Sequence, residues 1–290
     1  MANSDFNLKR NEILAQAYKR VGVLRPGTRI LSAAQLQDGV QVLNLILREI
    51  DAKGTKNSKH LWALAERHIF LKAEGIVYAE ADGLASNILD LQSIFYNDGN
   101  GAETSIELVT ANGFESISDK TDTGTPTKAY LKYDKDLNCQ LLYLWPHLTS
   151  VTTPSEVTGT DGLNYKCVSS HTSSTETRPI SGQSYRIYWE PVGTAGSTWV
   201  TDTDYTGGEC ARYMFKRPLY DFDNASDNPD FPAQWTRYLW LRLAYDLSGH
   251  YHITEDERRA IKGDYLEAEM DIFPGTQPAE TSHHYKALYF

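Results

Sequence analysis

The spacing of apolar residues predicts two helices in the first part of the chain. The first is indicated by apolar residues at helical intervals, namely Ile13, Leu14, Ala17, Tyr18 and Val21. A second, stronger stripe covers roughly residues 33–52 and contains Leu36, Val40, Leu43, Leu47 and Ile50. Ser32 and Gln35 stand three residues apart ahead of this stripe, in the pattern of a capping box. The second helix is therefore expected to begin directly after Ser32.

The same spacing returns near the end of the chain. One stripe is formed by Trp235, Leu239, Leu243 and Leu247. Trp240 and its neighbours make the remaining faces apolar too, which is typical of a helix that is central in a core or shared with a neighbouring subunit. Thr254 and Glu257 form another capping box, and the helix that it opens is expected to end near Ile272.

Between these helices the apolar period changes to two, which predicts strands. The alternation runs through residues 61–149, and the stretch NDGNG after Phe95 is a strong hairpin signal. A short helix or an irregular segment is expected around Phe114, and two further antiparallel strands at about residues 130–133 and 140–145. We therefore expect a small antiparallel β-domain.

A break in composition separates residues 150–208 from the rest of the chain. Nearly half of this stretch is Ser, Thr or Gly, it contains two of the six tryptophans, and it has almost no Leu or Ile. This pattern predicts a small β-module inserted into the body, autonomous and dispensable for folding of the body.

The predicted fold class is α+β, with a terminal α-helical bundle, a small antiparallel β-domain and an inserted small β-module. The expected division is 1–60 for the N-terminal helices, 61–149 for the β-domain, 150–208 for the insert, 209–273 for a returning strand with the C-terminal helices, and 274–290 for a tail.

Composition excludes several classes of protein. The net charge of −10 argues against general DNA binding, because phosphate contacts supply most non-specific affinity. Three cysteines without CxxC spacing argue against a disulfide framework or a zinc site, and indicate reduced thiols from cytoplasmic synthesis. The polar N-terminus does not resemble a signal peptide, and no apolar run approaches the length of a membrane span.

No motif for nucleotide binding, nucleophilic catalysis or zinc hydrolysis occurs, so we predict no enzyme activity, no metal and no cofactor. Four aspartates crowd one loop, namely Asp221, Asp223, Asp227 and Asp230. Turn and capping chemistry is favoured for them over a calcium site, because the glycine and terminal glutamate of an EF-hand loop are missing.

The insert carries the chain's candidate ligand-binding residues. Tyr188, Trp189 and Trp199 offer flat faces that can stack on sugar rings, with Ser and Thr available for hydrogen bonds. The alternative is that a module with few aliphatic residues uses its aromatic residues as its core, and this reading is favoured. Because Tyr188 and Trp189 are adjacent on an expected strand, at least one of them should face outward.

Three stretches of the body resemble the head-to-tail adaptors of short-tailed bacteriophages, which are also called head completion or packaged-DNA stabilisation proteins. They are NEILAQAYKRVGVL, then LQDGVQVLNLILREIDAKG leading to LWAL, and DNPDFPAQWTRYLWLRLAYDLSGHYHI, in which an Asp-Asn-Pro loop leads into a Trp-containing helix. With the order of elements, the resemblance covers residues 7–149 and 209–273.

This resemblance implies a virion protein of the neck or tail. It implies a ring of copies, expected to be a dodecamer, that binds the portal protein, joins it to the tail nozzle or next tail component and helps to retain packaged DNA. DNA would pass through the channel without sequence-specific binding, and no membrane would be involved. The acidic composition is compatible with a channel that must not hold DNA.

The insert resembles a small chitin-binding-type carbohydrate module, with its Tyr-Cys-His-Thr-Ser beginning and Tyr-Trp centre, and it has Tyr185 where such modules usually carry Trp. Two further functions follow from it as alternatives. One is a tail-associated cell-wall or polysaccharide hydrolase, and the other is a carbohydrate-binding accessory protein.

The last residues form a polar segment with an aromatic end. Leu288, Tyr289 and Phe290 close the chain, and large aromatic residues are good anchors for a partner's pocket. We predict that these residues and Trp240 contact the portal or a neighbouring subunit. The alternative is a frayed terminus whose aromatic residues have no role.

Overall fold

The chain divides into two compact units, and the first combines an N-terminal part of the sequence with a C-terminal part. A computed structural model describes residues 8–28, 30–57, 63–193, 196–227, 230, 233, 235–251 and 253–272, without the side chains of residues 52–57. One unit joins residues 1–62 to residues 219–290, and the other comprises residues 63–218. The α+β class is confirmed.

The described part of the first unit contains four helices: α1 (Arg10–Arg20), α2 (Ala33–Asn57), α5 (Trp235–Ser248) and α6 (Glu255–Ile272). The capping box ahead of α2 is confirmed, because Ser32 N donates to Gln35 Oε1 at 2.9 Å and Gln35 N donates to Ser32 Oγ at 3.2 Å. Thr254 and Glu257 make the equivalent bonds ahead of α6. Two of the helix starts are thus fixed by side chains that satisfy otherwise unpaired backbone N–H groups.

All four helices contribute to one hydrophobic core. Its fully buried members include Leu14 and Tyr18 of α1, Leu43 and Leu47 of α2, and Leu239 of α5. Helices α1 and α2 approach each other closely at Gly39, where an added Cβ would lie 2.9 Å from Leu14 Cδ2.

Arg242 of α5 links two other helices through its partly buried guanidinium group. It pairs with Glu49 of α2 at 3.1 Å and lies 5.2 Å from the ring centre of Tyr265 in α6. An ion pair between Arg20 and Asp264 at 2.5 Å joins α1 to α6. These contacts are specific in geometry, but partly exposed pairs of this kind contribute at most about 1 kcal/mol each.

The second unit contains a seven-stranded sheet. Its strands are β1 (Leu64–Phe70), β2 (Val77–Tyr78), β3 (Asp90–Asn97), β4 (Glu103–Leu108), β5 (Lys128–Asp134), β6 (Cys139–Trp145) and β13 (Cys210–Lys216), in the order β1-β13-β3-β4-β5-β6-β2. The predicted hairpin is confirmed, since β3 and β4 pair antiparallel.

The prediction of an antiparallel domain is wrong at one strand pair, because β4 and β5 run parallel. Parallel neighbours need a long crossover connection. The chain between them supplies one, and it includes the short helix α3 (Ala111–Glu115), whose Phe114 is buried. The irregular or helical segment predicted around Phe114 is therefore this crossover.

The predicted boundary at residue 209 also needs correction. Strand β13 lies between β1 and β3, so the returning strand belongs to the sheet and not to the helical unit. Its alternate residues Ala211, Tyr213 and Phe215 are buried in the core of the sheet. Residues 61–149 alone would lack a central strand.

The insert forms two small sheets around an aromatic core. Strands β7 (Glu156–Thr158), β8 (Asn164–Cys167), β10 (Trp189–Gly193) and β11 (Ser197–Thr198) are ordered β10-β8-β7-β11, and β9 (His171–Thr172) pairs with β12 (Asp204–Tyr205). Tyr188 ends a one-turn helix, α4 (Tyr185–Tyr188), and only Trp189 belongs to a strand. The prediction that both residues share a strand is therefore wrong.

Candidate functional site

The predicted contact residues of the helical unit are only in part described. Trp240 is half-buried on α5 and packs against the helical core. Leu288, Tyr289 and Phe290 lie outside the described residues. The structure adds two exposed apolar side chains on helices of the same unit: Leu45 of α2 is 63% exposed and Met270 of α6 is 72% exposed. Both lie on the outward faces of amphipathic helices, where they are available to a partner.

An open groove lies beside the first two helices. Its volume is about 530 Å³, and its lining residues are Arg10, Leu36, Gln37, Val40 and Gln41. The guanidinium group of Arg10 donates hydrogen bonds to the carbonyl oxygens of Phe222 and Asp223, so it holds the aspartate-rich loop and does not point freely into the groove.

The aspartate-rich loop is held by turn and ion-pair contacts. Asp221 pairs with Arg48 of α2 at 2.6 Å, and Asp227 Oδ2 accepts a hydrogen bond from Asn224 N at 2.6 Å. Two residues of α2 also hold this part of the chain: Asp51 accepts a hydrogen bond from Leu219 N, and Asn44 accepts one from Phe222 N. Among the described residues, no group of three or more His, Cys, Asp or Glu side chains is arranged to hold a metal ion.

The aromatic residues of the insert gather around His171. Its ring centre lies 4.2 Å from that of Tyr188, 5.4 Å from that of Trp189 and 6.0 Å from that of Tyr205. The indole of Trp189 meets Tyr205 edge to face at 5.1 Å. Such edge-to-face contacts are favourable for aromatic rings and are typical of packed cores.

The three residues predicted to contact carbohydrate have different environments. Trp189 is 1% exposed, and its Nε1 donates to the carbonyl oxygen of Thr177 at 2.7 Å, so it is a core residue and offers no face to a ligand. Tyr188 and Trp199 are half-buried at the margin of the same core. The guanidinium group of Arg178 lies 5.4 Å from the ring centre of Trp199 and covers part of it. The structure therefore does not present the three as one open platform.

Cys167 lies close to His171, but its environment does not activate it. The thiol donates to the carbonyl oxygen of Ser169 at 3.2 Å, and its sulfur is 3.8 Å from His171 Nδ1. Burial raises the pKa of the Cys167 thiol to about 12, and burial lowers the pKa of His171 because it disfavours the charged ring. A nucleophilic cysteine needs a thiolate, so this pair is unsuited to that chemistry at neutral pH.

A buried polar contact between the insert and the sheet was not predicted from the sequence. Oε2 of Glu190 in β10 lies 3.0 Å from Nδ1 of His68 in β1, and Oε1 lies 3.3 Å from Arg67. His68 and Glu190 are each 6% exposed. Breaking such a buried pair leaves an uncompensated polar group, which costs several kcal/mol. The two residues are far apart in sequence, and neither belongs to a motif.

A second network extends from this contact across the sheet. Arg212 of β13 binds Glu103 of β4 through two bonds of 2.6 Å and also binds Glu66 of β1 at 3.1 Å. The Arg212 guanidinium group is the main cause that lowers the pKa of Glu103. It also lies 4.8 Å from the ring centre of Phe95.

The β3–β4 hairpin also contacts the insert directly. The Gly99 carbonyl oxygen accepts hydrogen bonds from Ser170 N at 2.7 Å and from Ser170 Oγ at 2.9 Å. A Cβ added to Gly207 would lie 2.2 Å from the same oxygen, so the close approach requires glycine. The insert is thus bonded to the sheet at two places, the hairpin tip and strand β1.

None of the helices in the described ranges combines the length and the apolar composition that crossing a bilayer requires. Comparisons with models of known protein families find no match for the chain, and a search of curated proteins finds no significant relative.

Proposed function

We propose that this chain is a structural protein of a bacteriophage virion, a head-to-tail adaptor without enzyme activity. Copies form a ring, expected to be a dodecamer, beneath the portal protein. The ring joins the portal to the next tail component, helps to retain packaged DNA and lets DNA pass without sequence-specific binding. In this proposal the four helices act as a terminal bundle that carries the portal contact.

One observation carries the proposal. The three stretches that resemble the adaptors include α1 except Arg10, residues 36–54 of α2 and the whole of α5, and these helices share one hydrophobic core. The stretches are far apart in sequence, so a common core gives a physical reason for their occurrence together. The resemblance thus concerns a folded unit and not isolated helices.

The surface of the helical unit is compatible with assembly. Leu45 and Met270 are exposed on α2 and α6, and neighbouring copies in a ring would bury such side chains. The net charge of −10 suits a channel wall that must release DNA.

The test is electron microscopy of the purified chain, alone and mixed with portal rings of the same phage. We expect closed rings of this chain seated on one end of the portal. A chain that stays monomeric at high concentration and leaves the portal unchanged would contradict the proposal.

Truncation after Phe273 tests the predicted anchor at Leu288, Tyr289 and Phe290. We expect the shortened chain to bind portal at least tenfold more weakly, since aromatic anchors supply much of the affinity of an interface. The matched control is a chain of unchanged length with residues 274–290 in scrambled order. If the truncated chain binds portal as the parent does, the tail has no anchoring role.

The carbohydrate-binding alternative rests on the half-buried Tyr188 and Trp199, and the hydrolase alternative rests on the carbohydrate-like insert together with the abundant carboxylates of the chain. A glycan array and a muramidase assay on the same preparation separate them from the adaptor. Binding to one glycan that is lost in Trp199→Ala would support a carbohydrate-binding accessory protein. Cell-wall cleavage would support the hydrolase.

A further inference from the structure

Strand β1 forms one edge of the seven-stranded sheet. The backbone hydrogen bonds at its two ends show which of its residues direct their N–H and C=O groups toward β13. Arg217 N donates to the Ala63 carbonyl oxygen at 2.9 Å, and Leu71 N donates to the Glu209 carbonyl oxygen at 2.9 Å. Both pairs continue the register of β1 with β13. Hydrogen-bonded and non-bonded pairs alternate in an antiparallel ladder, so the odd-numbered residues of β1 bond to β13.

The even-numbered residues therefore direct their backbone N–H and C=O groups away from the sheet. These residues are Leu64, Glu66, His68 and Phe70, and within the described ranges no backbone bond to them crosses this edge. The register of β1 has no bulge, and the strand has no proline. A regular edge of this kind is a template for pairing with a strand of another chain, unless something covers it.

The insert covers this edge. Arg67 and His68 are consecutive, so their side chains leave β1 on opposite faces of the sheet. The carboxylate of Glu190 nevertheless binds both of them. A carboxylate that reaches side chains on both faces of the sheet has to lie beside the strand. Since β13 occupies one side of β1, Glu190 lies on the open side. Lys166, the partner of Glu190 in the β8–β10 ladder, lies 5.6 Å from the ring centre of Phe70 and extends the cover along the strand.

We propose that the insert is an edge guard: it shields the open side of β1 and prevents two copies of the chain from pairing there. The partner that it excludes is β1 of a second copy. In an antiparallel pair centred on Arg67, Leu64 lies opposite Phe70 and Glu66 lies opposite His68. The first pair is apolar, and the second joins a carboxylate to an imidazole, which can share a hydrogen bond. Only the two Arg67 side chains repel each other.

Charge reversal at Glu190 in the full-length chain tests this inference. Glu190→Arg places two cations beside each other and should displace the insert from β1. The control is Glu176→Arg, which makes the same charge change at an exposed side chain of the same insert. We expect Glu190→Arg to double the mass of the parent's assembled state in light scattering, with a concentration dependence that the control lacks.

A second substitution identifies the edge. Glu66→Pro removes a backbone N–H that points away from β13, so β1 keeps its backbone hydrogen bonds to β13 while the open side is blocked. The variant also loses the ion pair of Glu66 with Arg212, and Glu66→Pro alone is the control for that loss. Glu190→Arg with Glu66→Pro should return to the parent's mass. Faster amide exchange of β1 in Glu190→Arg shows that the edge has been uncovered, and if the mass does not rise in that case, the inference is wrong. It is also wrong if Glu66→Pro fails to reverse the association.

If Glu190→Arg does not fold, Glu190→Ser is judged by the same two criteria, because it opens the edge without adding charge. The parent's own state of assembly is the reference in each comparison. The outcome is therefore independent of whether the chain is an adaptor.

Discussion

Two leucines of α2 provide a direct test of the helical core. Leu43 and Leu45 are two residues apart on the same helix, but Leu43 is 0% exposed and Leu45 is 63% exposed. Replacement by Ala removes the same atoms at both positions. Any difference in stability therefore reports burial and not residue type or helix propensity.

The expected difference is large. Truncating a fully buried Leu to Ala loses the transfer free energy of the removed atoms and leaves a cavity, and the two together cost about 2–5 kcal/mol. We expect about 3 kcal/mol for Leu43→Ala, which would lower the unfolding midpoint of the helical unit by about 10 °C. Leu45→Ala should change the free energy of unfolding by less than about 0.5 kcal/mol.

The assay is denaturant unfolding followed by far-UV circular dichroism, because α1, α2, α5 and α6 belong to the helical unit and dominate the helical signal. The reasoning is refuted if Leu43→Ala costs less than about 1 kcal/mol, or if Leu45→Ala costs as much. Leu43→Asp is a stronger form of the same test. An unpaired carboxylate at this position should leave no folded helical unit.

Two further predictions concern the second unit. Iodoacetamide should modify the half-buried Cys139 in the native chain but leave Cys167 and Cys210 unmodified, because burial excludes the reagent and raises the pKa of both buried thiols. The modified cysteines are identified by mass spectrometry of the digest, and fast modification of Cys167 would contradict the prediction. The lowered pKa of Glu103 predicts a contribution to stability that is present above about pH 4.3 and is lost as pH falls through the lower folded-state pKa. Arg212→Gln should therefore flatten the fall of the thermal midpoint between about pH 5 and pH 3, and parallel curves for variant and parent would show that the pair adds nothing.

Local sequence signals predicted the helices well, and the reason is local too. The start of α2 follows from Ser32 and Gln35, which bond to each other's backbone within one turn, and the start of α6 follows in the same way from Thr254 and Glu257. The β3–β4 hairpin depends on a turn of a few residues. Each of these structures is decided by neighbours in sequence, so a short pattern is sufficient.

The order of strands was not predictable from such patterns. Strand β13 joins β1 and β3, from which it is separated by more than a hundred residues, and its own sequence contains no signal for that place. The buried contact of Glu190 with His68 joins positions 122 residues apart. The burial of aromatic residues in the insert was predictable from composition, since a module with few aliphatic residues has to fill its core with aromatic rings. The burial of Trp189 agrees with that reading.

The insert makes more contacts with the sheet than its attachment to the chain requires. It connects β6 to β13, and these strands are not neighbours in the sheet. Its two ends lie side by side, because Ser155 N donates to the Thr206 carbonyl oxygen at 2.9 Å. Adjacent ends would suffice for a tethered, freely moving module. The contacts of Glu190 with β1 are not needed for tethering, so they indicate that the position of the module on the sheet matters.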